Sequence, residues 1–310
     1  MTGSLAVRAE RSHRREASGI LQPACSTGCH HRRMRHGFDA ALEAVNDWDV
    51  EHAAVAVVGP DGIHASIGDG TRGFAWASVT KLVTAYAVLR AVEQGSISLD
   101  DPLGPPEATV RHLLAHASGL GPESMAPISR PARTRIYSNA GFDLLGELLA
   151  ERGNASLGRV LEVEILGPLG MIGTRLIGRA SAGLWGPVDD IARLGQELLR
   201  PSLVGTATLD RATIVAFPGL AGVLPGIGRF DPLDWGLGFE LRGTKQPHWT
   251  GTANSPATFG HFGASGTFLW VDPVARIALA CATDRHFGPW ALEAWPQLSD
   301  AVLAAAVQTS

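Results

Sequence analysis

Ser78-Val79-Thr80-Lys81-Leu82-Val83-Thr84-Ala85-Tyr86-Ala87-Val88-Leu89-Arg90-Ala91-Val92-Glu93-Gln94 is the stretch on which the fold of this chain turns. Val79, Leu82, Val83, Tyr86, Leu89 and Val92 form a wide apolar stripe at helical spacing, and Gly95 ends the run. Between Ser78 and Arg90 the only charged residue is Lys81, so the segment predicts a largely buried helix. Ser78 and Lys81 are three apart, on one face and about one turn from each other. At the expected helix start, backbone N–H groups near Ser78 are free to point outward. A serine hydroxyl attacks poorly until something takes its proton. An amine in an apolar wall loses part of its preference for the charged form and can take that proton. The same spacing also arises from an N-capping serine followed by a snorkelling lysine, so by itself it identifies no chemistry.

The lysine stands out against its background. The chain has 310 residues with 24 arginines and only two lysines, Lys81 and Lys245. Arginine keeps its proton at any accessible pH, whereas a desolvated lysine can release one. Lys245 lies in the loop Gly243-Thr244-Lys245-Gln246-Pro247 and reads as a chance survivor. The length suits one large domain or two packed lobes. A net charge of −4 gives no electrostatic footprint for nucleic acid. Three cysteines, Cys25, Cys29 and Cys281, make no disulfide framework. No apolar run is long enough to span a membrane.

Residues 1–36 hold seven arginines against Glu10 and Glu16 and lack a continuous apolar stretch. They read as a disordered basic extension or as residues upstream of the working start, not as a secretory signal, which makes a cytoplasmic protein the expectation. A transit peptide shares this Arg-rich, acid-poor character. Cys25, Cys29, His30 and His31 match no standard zinc spacing.

Outward from the helix, residues 38–48 predict an amphipathic helix. An apolar run at 53–58, the turn Gly59-Pro60-Asp61-Gly62 and residues 63–67 predict a hairpin, and 74–77 a short extended lead-in. Helices are expected at 109–115, 140–151, 157–165, 188–199 and 290–307. Strands are expected at 236–241, 259–263, 266–271 and 276–283. Strands at both ends and helices between them predict an α+β fold. Residues 37–77 and 236–310 would share a sheet lobe, and 78–235 would form a helical lobe. A ligand cleft is expected between the lobes.

Two further segments carry polar chemistry. Tyr137-Ser138-Asn139 precedes a helix, and Tyr137 is one of two tyrosines. A phenol beside an ammonium can shuttle protons, and Asn139 offers a donor and an acceptor to a substrate amide. Equally, Asn139 could cap the helix while Tyr137 packs. In His261-Phe262-Gly263-Ala264-Ser265-Gly266, Gly263 lets a substrate carbonyl approach the backbone, and the Ala264 N–H could join that of Ser78 as an oxyanion hole. The bland alternative is a glycine bulge with a structural histidine. His112, His116, His248 and His286 lie in no recognised metal motif and read as structural. Trp249, Phe259 and Phe262 could line the cleft or pack in the core. Residues 246–260 read as a loop at the cleft edge.

Taken in order, Ser78-x-x-Lys81, Tyr137-x-Asn139 and the late strand at His261-Phe262-Gly263 resemble the motif set of class C β-lactamases and their relatives, the DD-peptidases, D-aminopeptidases and β-lactamase-fold esterases. Residues 112–120, 183–193 and 235–239 are similar to framework segments of that superfamily. The resemblance runs from about Gly37 to the C-terminus. It implies a β-lactamase/transpeptidase-like fold, with an antiparallel five-stranded sheet flanked by helices plus an all-helical lobe. It implies Ser78 as acylated nucleophile, Lys81 and Tyr137 as proton handlers, and Asn139, His261, Gly263 and Ala264 in substrate binding, with no metal or organic cofactor. Where the family pattern has Lys-Thr-Gly, this chain has His261, Phe262 and Gly263. A neutral imidazole holds a substrate carboxylate less well than a fixed cation. The expectation is therefore a serine hydrolase acting on small-molecule esters or amides. A peptidase or β-lactamase of the same fold is the alternative. A non-catalytic binding relative would be expected to have lost the motif residues, and Ser78, Lys81, Tyr137 and Asn139 are all present.

Overall fold

The computed structural model describes residues 36–307. Most of the basic N-terminal stretch, including Cys25, Cys29, His30 and His31, lies outside the described residues. Residues 36–42 form α1 and pass into a 3-10 turn at Glu43–Asp47. There follow β1 (Ala53–Gly59), β2 (Gly62–Ile67), β3 (Gly73–Ala75), α2 (Thr80–Glu93), α3 (Val110–Leu114), β4 (Arg135–Ile136), α4 (Asn139–Arg152) and α5 (Leu157–Leu161). Next come β5 (Arg175–Leu176), β6 (Leu184–Pro187), α6 (Val188–Leu199), α7 (Thr206–Ala212), β7 (Gly222–Leu224) and β8 (Gly228–Phe230). The chain closes with β9 (Glu240–Leu241), β10 (Phe259–Gly263), β11 (Thr267–Asp272), β12 (Ile277–Thr283) and α8 (Pro289–Val307).

The fold is α+β, with a central antiparallel sheet in the order β2-β1-β12-β11-β10-β9. The two ends of the chain meet where β1 pairs with β12, Val55 opposite Cys281. Both faces of this sheet are covered, which explains why its central strands are apolar without alternation. Ala54, Ala56 and Val58 of β1 and Ala278, Ala280 and Ala282 of β12 face a core shared with α2, α4 and α6. Val55, Val57, Leu279 and Cys281 face the other way, against α1 and α8. The row of small residues on the first face lets α6 lie close to the sheet; a Cβ at its Gly195 would stand 3.2 Å from Ala278 Cβ.

The sheet has six strands, one more than the five the resemblance implies, and its edge strand β9 keeps only the last two residues of the expected strand at 236–241. Residues 236–239 were expected to extend that strand but turn instead. Gly236 N–H bonds to the Phe239 carbonyl, and Gly238 takes φ +96° against Ala85 of α2, where a Cβ would stand 2.1 Å from the Ala85 Cβ. The 78–235 region is mainly helical but carries two small sheets at its margins, β3-β6-β5 and β4-β7-β8. Their strands of two to four residues are too short to leave a period in sequence. Among the described residues no helix is long and apolar enough to cross a membrane.

Candidate active site

Ser78 lies in a 3-10 turn, Ala77–Val79, at the head of α2. Ala77 takes φ +43°, a region a Cβ disfavours, and bends the chain sharply just before Ser78. The turn is held from the sheet side. Ser265 and Thr267 hydroxyls both donate to the Ala75 carbonyl, at 2.6 and 3.0 Å. A Cβ at Gly263 would stand 2.5 Å from the Trp76 carbonyl oxygen and 3.3 Å from Ser78 N. Only glycine lets β10 come this close, and that brings the peptide between Gly263 and Ala264 up to the Ser78 turn. The Ala264 carbonyl is anchored by the Phe287 N–H at 3.0 Å and by His286 Nδ1 at 3.0 Å.

Lys81 is fully buried. Its Nζ lies 3.2 Å from Ser78 Oγ, 2.5 Å from Asn139 Oδ1 and 2.8 Å from the Ser181 carbonyl oxygen. Burial drives its amine down from the ordinary 10.5 to about 7; Asp143 and Glu123 pull it back up, and Arg179 opposes them. Near neutral pH the amine therefore loses its proton readily. A neutral amine has two N–H groups and one lone pair. Two of its three neighbours are carbonyl oxygens, which can only accept. The lone pair is left for the Ser78 hydroxyl.

Tyr137 and Asn139 come from the junction of β4 and α4. Arg135 fixes that junction from within. Its buried guanidinium donates to the carbonyls of Leu233, Ala115, Ala216 and Phe217. Ser138, not Asn139, caps α4, accepting the Gly141 N–H at 3.0 Å. The Asn139 side chain is thereby free to turn to Lys81. The Tyr137 ring lies 4.8 Å from Lys81 Nζ and is backed by the His116 ring at 4.6 Å. His116 Nδ1 accepts the Ser138 N–H at 3.0 Å. His112 closes a capping box at the start of α3. Burial raises the Tyr137 phenol above its ordinary value, partly offset by its bond with Ser78.

His261 packs 5.7 Å from the Tyr137 ring. Its Nδ1 donates to the Phe262 carbonyl at 2.6 Å, so Nε2 is the acceptor and faces the Tyr137 hydroxyl at 3.4 Å. Burial, reinforced by Lys81, pushes this imidazole down to about 3. It is neutral at physiological pH and provides no cation.

These residues border a cavity of about 330 Å³. Ser78, Tyr137, Asn139, His261 and Ala264 form its polar side; Leu224, Phe262 and Phe287 form its apolar side. Trp249 and Phe259 do not line it and are core residues. Residues 246–260 contribute nothing to its wall; their loop packs Trp249 against Phe262 and Phe268 instead. A cavity of about 390 Å³ among Ala87, Arg90, Leu149 and Val160 has one lining serine, Ser96, whose hydroxyl donates to the Ala91 carbonyl at 3.1 Å, and no lysine, histidine or tyrosine to take its proton.

Two findings lie outside the sequence reading. Lys245 is not an incidental loop residue. It is buried and pairs with buried Glu240 at 2.7 Å. Beyond Lys81, a chain of charged residues, Glu123, Arg179 and Asp143, surrounds the Asn139 and Ser181 groups that hold the amine. In sequence these three are ordinary loop and helix-surface charges, and no motif marks them.

The fold is that of the β-lactamase/serine-hydrolase superfamily. The beta-lactamase family model matches residues 49–303, and the chain belongs to that family. A beta-lactamase structure from Mycobacterium bovis is 52% identical, covers 86% of this chain and 99% of its own, and superposes with a TM-score of 0.85. EstCE1, a hydrolase with promiscuous acyltransferase activity, shares the fold at 17% identity, covering 89% of this chain and 100% of its own, with a TM-score of 0.71. The D-alanyl-D-alanine-carboxypeptidase/endopeptidase AmpH of Escherichia coli K12 is 29% identical over 132 residues, which is 31% of this chain. The match spans only about a third, 34%, of that relative's length.

Proposed function

We propose that this chain is a serine hydrolase that forms an acyl-enzyme at Ser78, acting on small-molecule esters or amides. The observation that carries the reading is the Lys81 amine, whose two carbonyl acceptors leave its lone pair for Ser78 Oγ at 3.2 Å. Lys81 takes the Ser78 proton as Oγ bonds to the substrate carbonyl carbon. The Ser78 and Ala264 N–H groups hold the oxygen on which negative charge develops. As the carbon–oxygen bond to the leaving group breaks, the proton passes to that oxygen, with the Tyr137 hydroxyl as relay. Water then repeats the sequence on the ester formed at Ser78 and restores the serine. Asn139 contacts the substrate beside Lys81, His261 shapes the cavity wall, and Gly263 acts from behind it by letting β10 reach the Ser78 turn. The sheet lobe and the helical lobe, 37–77 with 236–310 and 78–235, flank this cleft.

The neutral His261 favours esters over substrates that bring a carboxylate to that wall. The similarity to AmpH and to the mycobacterial beta-lactamase supports a second reading, cleavage of peptide or β-lactam amides at the same serine. Labelling by a fluorophosphonate, with turnover of p-nitrophenyl acetate and of a chromogenic cephalosporin, separates the cases. Label and ester turnover should fall at least ~10³-fold in Ser78→Ala and in Lys81→Ala. Faster cephalosporin than ester turnover would overturn the ester preference. A folded wild type that takes no label would overturn the hydrolase reading.

A further inference from the structure

A closed hydrogen-bonded circuit begins and ends on Lys81. Lys81 Nζ donates to Asn139 Oδ1 at 2.5 Å, and Asn139 Nδ2 donates to Glu123 Oε1. Arg179 donates from NH1 to Glu123 Oε2 at 2.9 Å and from Nε to Asp143 Oδ2 at 2.7 Å. The other Asp143 oxygen accepts the Ser181 N–H at 3.1 Å, and the Ser181 carbonyl accepts from Lys81 at 2.8 Å. Each carbonyl that takes a Lys81 proton is thus held by one end of the Glu123–Arg179–Asp143 bridge. The bridge itself is largely in solvent: the side chains of Arg179 and Glu123 are 54% and 60% exposed.

We propose that Glu123, Arg179 and Asp143 are positioning residues, a charged latch at the cleft edge that holds Asn139 and Ser181 on the Lys81 amine and sets the pH at which this amine loses its proton. The catalytic use of that setting rests on the acyl-enzyme reading above; the setting itself does not. An isolated surface ion pair contributes little to stability. This one is tied at both ends to the groups that hold a buried amine, and its Asp143 is only 23% exposed, so it acts on that amine at short range.

The other titratable groups facing Lys81 leave the latch as the one source of charge that can vary. Tyr137 comes from the β4–α4 junction, His116 from the end of α3, and His261 from β10. Burial keeps Tyr137 protonated and both imidazoles neutral around neutral pH. Phe142 on α4 presents only its ring, at 5.6 Å. What remains is two carboxylates that favour the ammonium and one guanidinium that opposes it.

The test follows from the composition. With only two lysines in the chain, ¹³Cε-lysine labelling yields two resonances, and Lys81→Met assigns them. The Lys81 midpoint is read by NMR across a pH titration of the full-length wild type, Glu123→Gln and Arg179→Gln. Glu123→Gln keeps an acceptor for Asn139 but removes a negative charge, so the midpoint should fall by about half a unit. Arg179→Gln removes the opposing charge, so it should rise by about as much. Opposite shifts from two substitutions at exposed positions support the latch, because simple loosening of the cleft would move both the same way. Coincident midpoints, or shifts of one sign, overturn it. The titration reads the amine whether or not the protein turns over a substrate, so an inactive wild type would sink the acyl-enzyme reading without touching this result.

Discussion

The two lysines sit in two kinds of interior. Lys245 meets a carboxylate directly: Glu240 at 2.7 Å, with His248 Nε2 at 3.0 Å and Trp249 Nε1 at 3.1 Å on the same group. Burial alone would raise the Glu240 carboxyl, but Lys245 and His248 outweigh it and hold the carboxyl below its ordinary value. Lys81 has no carboxylate in hydrogen-bond reach among the described residues. Its contacts are two carbonyls and a hydroxyl, and its nearest acids lie one link further out. The first arrangement is an ion pair that ties the 242–258 loop to β9. The second gives charge up near neutral pH. Burial is common to both, so the two lysines differ in the charge of the first neighbour, a carboxylate at Lys245 and only carbonyls and a hydroxyl at Lys81.

Exchanging the two for methionine should break the symmetry most visibly. Lys81→Met should lower ester turnover by ~10³-fold or more while leaving a folded protein. Lys245→Met should keep kcat within a few-fold but cost about 3 kcal/mol in denaturant unfolding, because it strands a buried carboxylate. Equal losses of turnover in both variants would show that the two lysines do not differ in role.

The pH dependence sharpens the same contrast. A base must be unprotonated, so kcat/KM should fall as pH drops through about 7, the Lys81 value. The linkage to stability has a definite sign. The folded amine is depressed from 10.5 to about 7, so between these values the unfolded chain binds more protons and stability rises with pH. Relative to Lys81→Met, the wild type should therefore gain on the order of 3 kcal/mol between pH 7 and 10. Unfolding curves for the pair that run parallel across this window would exclude a depressed Lys81.

The smallest expected effect concerns His261. His261→Lys returns a cation to the wall opposite Asn139. It should raise kcat/KM for a carboxylate-bearing β-lactam by roughly tenfold relative to a neutral ester. No change in that ratio would move the ester preference to another residue.

Much of this was legible because it is local. The α2 stripe, the sheet strands at both termini and the motif order from Ser78 to His261 each lie within a few residues of sequence. The Gly236–Phe239 turn was missed because its cause is Ala85, far away in the chain. The short strands β4 to β8 carry no period. Lys245 read as incidental because Glu240, only five positions before it, showed no pattern until the loop folded back. The latch joins Glu123, Asp143 and Arg179 from three separate segments, and charged side chains on a surface look alike in sequence.

By itself the sequence determined the family of folds, the buried helix carrying Ser78 and Lys81, and the residue types available for proton transfer, because periodicity and motif spacing are one-dimensional properties. Tertiary structure alone decided the rest. It set which lysine is neutralised by a carboxylate and which is left among carbonyls, which nitrogen of His261 carries the proton, and which surface charges reach the amine. Those depend on distances of about 3 Å between segments far apart in the chain, and electrostatics and hydrogen bonding read distance, not sequence.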